Sequence, residues 1–278
     1  MTLTEKFEKN IDQVNSDFQA IKSKLIECGV EVPDGTKTAE LAEKVGEAFD
    51  AGKNSEWDAF WEDATRTGVS WQSRFANAVW TDVTFKPRKD IKPAGYANHL
   101  FSYSYITDLV GILNERGVVL DTSGITVRSD NMFSNCTLLT RVPYLDLRKA
   151  TWGNILANMF NNCAKLVSIE GIHLAEDGSQ QLDDGSTAFG RCTALEEVRF
   201  YGTIADNLNF SWSTKLSKAS IISILEALSK DTSDLTLTLS KAAVDAAFYD
   251  ETNDVIGSES DEWGYAVLSY TNWTISLA

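Results

Sequence analysis

Residues 132–142 read MFSNCTLLTRV, and two further versions of this stretch follow in the chain: MFNNCAKLVSI begins at Met159 and AFGRCTALEEV begins at Ala188. In each version a phenylalanine is followed, at intervals of three residues, by a cysteine, a leucine and an aliphatic residue. The phenylalanine recurs after 27 and then after 29 residues. Because a unit of this size cannot bury its own apolar face, we expect the copies to stack and to share one continuous core.

The two halves of the motif predict different local structures. The Leu-x-x-aliphatic half is typical of a short strand, and we expect these strands to lie parallel on one face of the stack. The Phe-x-x-Cys half predicts tight or short-helical turns behind the strands. The motif positions are Phe133, Phe160 and Phe189, then Cys136, Cys163 and Cys192, then Leu139, Leu166 and Leu195, then Val142, Ile169 and Val198.

Two degenerate copies flank the three clear ones. In HLFSYSYITDL, Ser104 stands three residues after Phe101, with Ile106 and Leu109 behind it. In LNFSWSTKLSK, Ser213 takes the cysteine position and Leu216 the leucine position. A serine can replace the cysteine in these copies, which indicates that the position requires a small side chain.

The repeated cysteine has two interpretations, a chemical site or a structural position. Zinc sites usually combine CxxC pairs with nearby histidines, whereas the four cysteines here, Cys28 and the three motif cysteines, are isolated and only His99 and His173 exist. A free cysteine commonly serves as a small buried apolar residue. We therefore predict buried structural thiols and no metal ligand.

The N-terminal segment, residues 1–30, has the periodicity of a coiled-coil helix. Its apolar residues alternate in steps of four and three, as in a heptad seam. They are Phe7, Ile11, Val14, Phe18, Ile21, Leu25 and Cys28. Bulky a positions with β-branched d positions favour a trimer, so we expect a homo-oligomer; the alternative is an amphipathic helix that folds back on its own chain.

Residues 31–90 predict a helical, aromatic-rich connector and N-terminal cap. A second helix follows an N-cap at Thr38, and seven aromatic residues then lie between positions 57 and 85. They are Trp57, Phe60, Trp61, Trp71, Phe75, Trp80 and Phe85. Clustered aromatics favour burial, so we expect them to plug the open end of the stack, the alternative being a platform for sugar rings.

Residues 218–278 predict a C-terminal cap. The order is a helix in KASIISILEAL, a strand in LTLTL, a helix in KAAVDAAF and a strand in NWTISLA. With residues 91–217 as the repeat region, the whole pattern predicts the α/β class: a short leucine-rich-repeat solenoid between a helical N-terminal segment and a helix–strand cap.

Composition excludes several classes of function. The formal net charge is −15 and no basic run occurs, which argues against a nucleic-acid partner. No apolar run reaches the length of a membrane span, and MTLTEKFEKN does not resemble a signal peptide or an anchor, so we expect synthesis in the cytoplasm.

No catalytic or cofactor motif is present. Neither histidine lies beside a nucleophile motif, and no phosphate-binding glycine pattern occurs. The acidic cluster of Glu176, Asp177, Asp183 and Asp184 lacks calcium-loop spacing and predicts a solvated loop. We expect a protein that is not an enzyme and has no cofactor, with polysaccharide hydrolysis as the remote alternative.

The motif MFxNCxxLxxI resembles the BspA-type leucine-rich repeats of bacterial surface adhesins and phage proteins. EWDAFW, WTDVTFKP, ITDLVGIL, TLTLSKAAVDAAF and NWTISLA extend the resemblance to leucine-rich-repeat proteins encoded among phage tail and structural genes, over roughly residues 50–278. The resemblance implies a virion or tail-associated protein that attaches to other tail proteins or to a host-surface glycan or protein. The alternatives are a structural tail or head component without a host ligand, and a bacterial surface adhesin.

Four aromatic residues outside the recurring motif positions are the candidate contacts for such a ligand. They are Tyr144, Trp152, Tyr201 and Trp212. Exposed aromatic anchors supply much of the affinity in binding surfaces. The alternative is that these side chains pack locally.

Overall fold

The computed structural model describes residues 71–77, 80–82, 85–87, 89–182, 187–249, 267 and 270–278. All of them belong to the second of two units into which the chain divides, Arg66–Ala278. The predicted heptad helix, with Phe7, Ile11, Val14, Phe18, Ile21, Leu25 and Cys28, lies outside the described residues, as do Trp57, Phe60 and Trp61.

The described chain is mixed α/β, with few helices and parallel sheets. The helices are α1 (Leu109–Arg116), α2 (Lys218–Glu226) and α3 (Lys241–Phe248). The strands are β1 (Arg141–Val142), β2 (Leu145–Asp146), β3 (Ser168–His173), β4 (Glu197–Tyr201), β5 (Leu208–Phe210), β6 (Leu235–Leu239) and β7 (Trp273–Leu277). Among the described helices, none combines the length and the apolar character that crossing a bilayer requires.

The motif phenylalanines form one column of stacked rings. Phe133 and Phe160 lie within 4° of parallel with ring centroids 5.5 Å apart, and Phe101 continues the column at 5.3 Å from Phe133. Phe189 follows at 5.5 Å from Phe160, and Phe210 lies 4.3 Å from Phe189. All these rings are buried. We name each copy by its phenylalanine. The stacked rings of successive copies form one continuous core.

The column extends one copy further than the motif indicates. Phe75 stacks on Phe101 at 5.1 Å, and its backbone N–H donates to Leu100. Phe85 packs edge-on against both of these rings, and Trp71 is buried beside Phe75. Phe75 is therefore a member of the column, which the repeat motif does not indicate.

The motif cysteines are interior, as predicted. Cys136, Cys163 and Cys192 are free and fully buried. Burial raises the pKa of Cys136 from its ordinary value of 9.0 to about 11 and that of Cys192 to about 12, and raises the pKa of Cys163 well above 9.0. Each thiol donates to a different backbone carbonyl, so the three do not converge on one centre. The part of the chain that the structure describes contains no cluster of three or more His, Cys, Asp or Glu side chains suited to a metal.

The strand prediction is confirmed for the three clear copies. Val142 lies opposite Ile169, and Ile169 lies opposite Val198, in parallel register. β1 and β2 both pair with β3, and β3 pairs with β4, with an irregularity between Ile169 and Ile172. The aliphatic motif residues are buried and fill the core beneath the sheet.

Asparagine shapes the turns on both sides of the phenylalanine. Asn131 and Asn135 flank Phe133, Asn158 and Asn162 occupy the equivalent positions two residues before and after Phe160, and all four have positive φ. Asparagine tolerates this left-handed conformation better than most residues. The Nδ2 of Asn162 also donates to Oδ1 of Asn135 at 3.0 Å, which links two copies.

Helix α2 ends the first sheet. Ser220 Oγ accepts the N–H of Val198 and donates to the carbonyl of Glu196, both at 3.0 Å, and Ser223 Oγ accepts the N–H of Phe200 at 3.0 Å. These hydroxyls satisfy the edge of β4, where a further strand would otherwise pair.

The predicted C-terminal elements are confirmed. The helix predicted over residues 218–228 is α2, which ends at Glu226, and α3 and β7 form as expected. β5, β6 and β7 make a second parallel sheet, in which Phe210 pairs with Leu239 and Leu239 with Leu277.

Candidate binding face

A groove lies over the outward face of the first sheet. Along β4 the side chains alternate, with Glu197, Arg199 and Tyr201 outward and Val198 and Phe200 inward. The groove has a volume of about 440 Å³. Its lining includes Arg141, Ser168, Glu170, Glu197 and Arg199 from the strands, Val110 from α1, and Ser217, Ala219 and Ser220 from the start of α2. We call this set the charged groove.

One arginine of the charged groove is fixed and one is free to bind. Arg141 Nε donates to Asp108 Oδ1 at 3.0 Å, and its Nη2 bonds the second carboxylate oxygen. Burial acts to raise the pKa of Asp108, but the hydrogen bonds from Arg141 and from the Gly111 backbone hold it below its ordinary value. Among the residues that the structure describes, Arg199 forms no ion pair. Its guanidinium is therefore available to a ligand.

Three aromatic rings form a compact cluster beside the C-terminal ends of β3 and β4. The ring centroids of Tyr144 and Tyr201 are 5.9 Å apart, and His173 lies 6.1 Å from Tyr144 and 5.7 Å from Tyr201. Tyr144 is 39% exposed and Tyr201 41%. Tyr201 is two residues beyond Arg199 on the same face of β4, about 7 Å along the strand. We call the three residues the tyrosine patch.

Gly171 makes the tyrosine patch possible. Tyr144 and Tyr201 belong to the Phe133 and Phe189 copies, on either side of β3, and strands two apart are separated by about 9.6 Å. The two rings lean over Gly171 and close this gap, because a Cβ at Gly171 would lie 2.8 Å from an atom of each ring. The glycine is required here for space, since that distance is below any normal contact.

A hydrogen-bonded chain holds two members of the tyrosine patch. His173 Nε2 lies 3.0 Å from Oε1 of Glu176, and His173 Nδ1 bonds the hydroxyl of Tyr144. A carboxylate only accepts hydrogen bonds, so Nε2 carries a proton and donates it to Glu176, while Nδ1 shares the second hydrogen bond with the Tyr144 hydroxyl. Hydrogen bonds at both ring nitrogens therefore fix the orientation of the His173 imidazole.

The hydroxyl of Tyr144 keeps its proton in this hydrogen-bonded chain. Partial burial, followed by the negative charge of Asp146, raises the pKa of Tyr144. Asp146 itself is held in the ionised form, since hydrogen bonds from Arg148 lower its pKa. A tyrosine with a raised pKa keeps its proton and acts as a neutral hydrogen-bonding ring.

The structure brings together two of the four predicted contact residues. Tyr144 and Tyr201 meet in the tyrosine patch. Trp152 lies elsewhere, 58% exposed, with the guanidinium of Arg128 over its ring at 5.4 Å. Trp212 is 53% exposed in the turn after β5. Among the described residues, neither tryptophan makes a ring contact with Tyr144 or Tyr201.

His173 and Gly171 were not among the predicted contact residues. The His173 imidazole is hydrogen-bonded at the end of β3. In the sequence Gly171 and His173 are separated by one residue, in GIH, and a pattern this short does not indicate a site. His99, the other histidine, lies 3.5 Å from Ser102 Oγ through its Nδ1.

The acidic loop is only partly described. Asp177 Oδ1 accepts hydrogen bonds from the N–H and the hydroxyl of Ser179, at 3.0 and 2.7 Å, and these bonds lower its pKa. Asp183 and Asp184 lie outside the described residues. The bonds at Asp177 are those of a local turn, in line with the predicted solvated loop.

Comparisons with protein-family models, with curated proteins and with solved structures return no significant match to this chain.

Proposed function

We propose that the chain is a tail-associated virion protein of a phage or prophage, and that its repeat region is an attachment module. In this proposal residues 91–217 form a short leucine-rich-repeat solenoid that binds a host-surface glycan or protein. The tyrosine patch beside the charged groove is the observation that carries it. Exposed rings, with unpaired charges next to them on a rigid sheet, are what a binding surface requires.

The backbone bonds between copies support the solenoid. The N–H of Thr140 donates to Thr107, that of Val167 to Thr140, and that of Glu196 to Val167, at 2.7 to 2.9 Å. A chain in which each copy bonds mainly to its neighbours is the defining property of a solenoid. Residues 31–90 and 218–278 would cap its two ends.

The N-terminal segment would multiply the binding face. If residues 1–30 form a trimeric coiled coil, one particle component presents several copies of the face at once. Linked sites of weak affinity then bind a repetitive host surface much more tightly than one site alone. We propose other tail proteins as the partners of the remaining surface, with no nucleic acid, no membrane insertion, no cofactor and no catalysis.

Two measurements test this proposal. Mass spectrometry of purified particles produced from the genome that encodes the chain should detect it in the tail. The purified full chain should then slow adsorption of those particles to susceptible cells, and the double variant Tyr144→Ala/Tyr201→Ala should not.

Tyr103→Ala is the matched control, because Tyr103 is an exposed tyrosine that lies outside the patch. Absence of the chain from the particles would overturn the virion assignment. Presence in the particles without any effect on adsorption would instead favour a structural component with no host ligand.

A further inference from the structure

We infer that the ligand of the binding face is an uncharged oligosaccharide, with one sugar ring on the tyrosine patch and the following rings in the charged groove. This inference rests on the proposed attachment function and names the class of its ligand.

The packing of the three rings decides what the tyrosine patch can accept. Centroid distances of 5.7 to 6.1 Å are those of aromatic rings in direct contact. Nothing fits between such rings, so the patch cannot enclose an ammonium group as an aromatic cage does. It offers an outer surface instead. The negative faces of the rings attract C–H groups, which a sugar ring presents on its less polar side.

The polar groups beside the patch match the hydroxyls of a sugar. Among the described residues, the Tyr201 hydroxyl has no hydrogen-bond partner. Arg199 can only donate, and Glu170 and Glu197 can only accept. A sugar hydroxyl donates and accepts at once, so neighbouring hydroxyls can satisfy both kinds of group within one groove.

The charge of the face argues against an anionic ligand. The charged groove contains two arginines and two glutamates, and because Asp108 already engages Arg141, two carboxylates remain there against one free guanidinium. The exposed carboxylate of Glu176 lies at the patch. With a net charge of −15 on the whole chain, a polyanionic polysaccharide would be repelled on approach.

The shape favours a glycan over a protein partner. A stable protein interface buries about 800 Å² on each side around an apolar centre. Here the apolar centre is three rings, and the nearby charged groove has a volume of about 440 Å³ and a largely polar lining. That volume lies within the range of small-ligand sites, about 300–1,000 Å³.

The experiment measures binding of the full chain to two matched sets of immobilised oligosaccharides. One set contains neutral sugars only, and the other contains uronic acids at the same chain lengths. We expect binding to members of the neutral set and none to the anionic set. Isothermal titration with the best neutral probe then compares the variants.

Four variants separate the contributions of the Tyr201 ring, the Tyr201 hydroxyl and Arg199 to binding. Tyr201→Ala should weaken binding about 30-fold, as loss of a central aromatic anchor does. Tyr201→Phe retains the ring and should weaken it by less, about 5-fold, through loss of one hydrogen bond. Arg199→Gln should also weaken it, and Tyr103→Ala should leave it unchanged. Thermal unfolding of each variant shows whether the fold is retained.

Three results would overturn the inference: binding to the anionic set alone, binding to no neutral oligosaccharide, or neutral-sugar binding that the two Tyr201 variants leave intact. These failures are distinct from failure of the attachment function. A chain that blocks particle adsorption but binds no neutral sugar would keep its attachment role and take a different ligand, such as a protein.

Discussion

Cys163 donates its thiol hydrogen to the backbone carbonyl of Phe133, one copy earlier, with 3.0 Å between Sγ and O. Cys136 makes the same bond to Phe101 at 3.0 Å, and Cys192 makes it to Phe160 at 3.1 Å. The cysteine of each of these three copies is thus a small buried donor that links its turn to the backbone carbonyl of the phenylalanine one copy earlier. A buried donor of this kind stabilises only while its acceptor is within reach.

Replacing Ser213 with cysteine should stabilise the protein. Ser213 takes the cysteine position in the Phe210 copy, and its buried hydroxyl has no partner among the described residues. A thiol extends further and costs less to bury, so Ser213→Cys should reach the carbonyl of Phe189 and raise the free energy of unfolding by about 1 kcal/mol. Urea unfolding measures the difference.

The reverse change is its control. Cys192→Ser should lower the free energy of unfolding by about 1–2 kcal/mol, because it places a shorter, more polar donor in the same apolar site. If Ser213→Cys and Cys192→Ser change the free energy of unfolding in the same direction, the thiol hydrogen bond does not explain the difference in stability between cysteine and serine at this position.

The buried thiols should make the protein less stable in alkali. The pKa of Cys136 is raised to about 11 and that of Cys192 to about 12 from 9.0, so above pH 9 the unfolded chain loses thiol protons that the folded chain keeps. Stability contributed by the protonated thiols is complete below pH 9 and falls as the pH rises towards 12, by up to about 1.4 kcal/mol per pH unit for each thiol.

Urea unfolding at a series of pH values checks this slope. Lysines and tyrosines titrate in the same range, so the informative quantity is the difference between the wild type and Cys192→Ala. The variant should lose stability less steeply above pH 9. Equal slopes would show that the thiol is not protected from ionisation in the folded state.

Removing a ring from the middle of the column should be among the most damaging single changes. Phe160 is fully buried between Phe133 and Phe189. Phe160→Ala should lower the free energy of unfolding by about 3–5 kcal/mol, because both neighbours lose their contacts at once. Trp152→Ala, at an exposed ring, is the comparison and should change stability by less than about 1 kcal/mol.

The serines of α2 should matter more than surface serines. Ser220→Ala leaves the N–H of Val198 without its acceptor and the carbonyl of Glu196 without one donor. We expect a loss of about 1–3 kcal/mol, the cost of a buried unsatisfied group. Ser233→Ala, at an exposed serine, should have little effect in the same unfolding experiment. A neutral Ser220→Ala would mean that solvent replaces the bond at this edge.

Gly171 should control the tyrosine patch without controlling the fold. The atoms nearest to a methyl group there belong to the rings of Tyr144 and Tyr201, at 2.8 Å, and both are side chains that can rotate outwards. Gly171→Ala should therefore abolish the nuclear Overhauser contacts between the two rings while changing the free energy of unfolding by less than about 1 kcal/mol. Persistence of those contacts would show that the rings do not converge over the glycine.

Much of the core could be predicted from spacing alone. The offsets from Phe133 to Cys136, Leu139 and Val142 recur without change in three copies, and such regularity arises where the same side chain faces the same interior. The strand and helix periods after residue 218 were equally clear. The asparagines two residues from the phenylalanine were an equally regular signal of left-handed turns, which the sequence analysis did not use.

Other features depend on how the copies lie against one another. Phe75 joins the ring column although no cysteine stands three residues after it, so the repeat motif does not reveal this copy. The tyrosine patch combines Tyr144, His173 and Tyr201 from three different copies. Neither their separation in the sequence nor a local sequence pattern predicts that these three residues are in contact.

Local spacing in this chain specifies which residues are buried, because burial of apolar surface depends on the period with which side chains return to one face. The proximity of exposed residues from different copies does not depend on local spacing. It follows from the parallel register of β1, β3 and β4 and from the missing side chain at Gly171, which allows two rings to close over one strand. Register and close approach arise only when separate copies pack, so the binding face is a property of the assembled sheet.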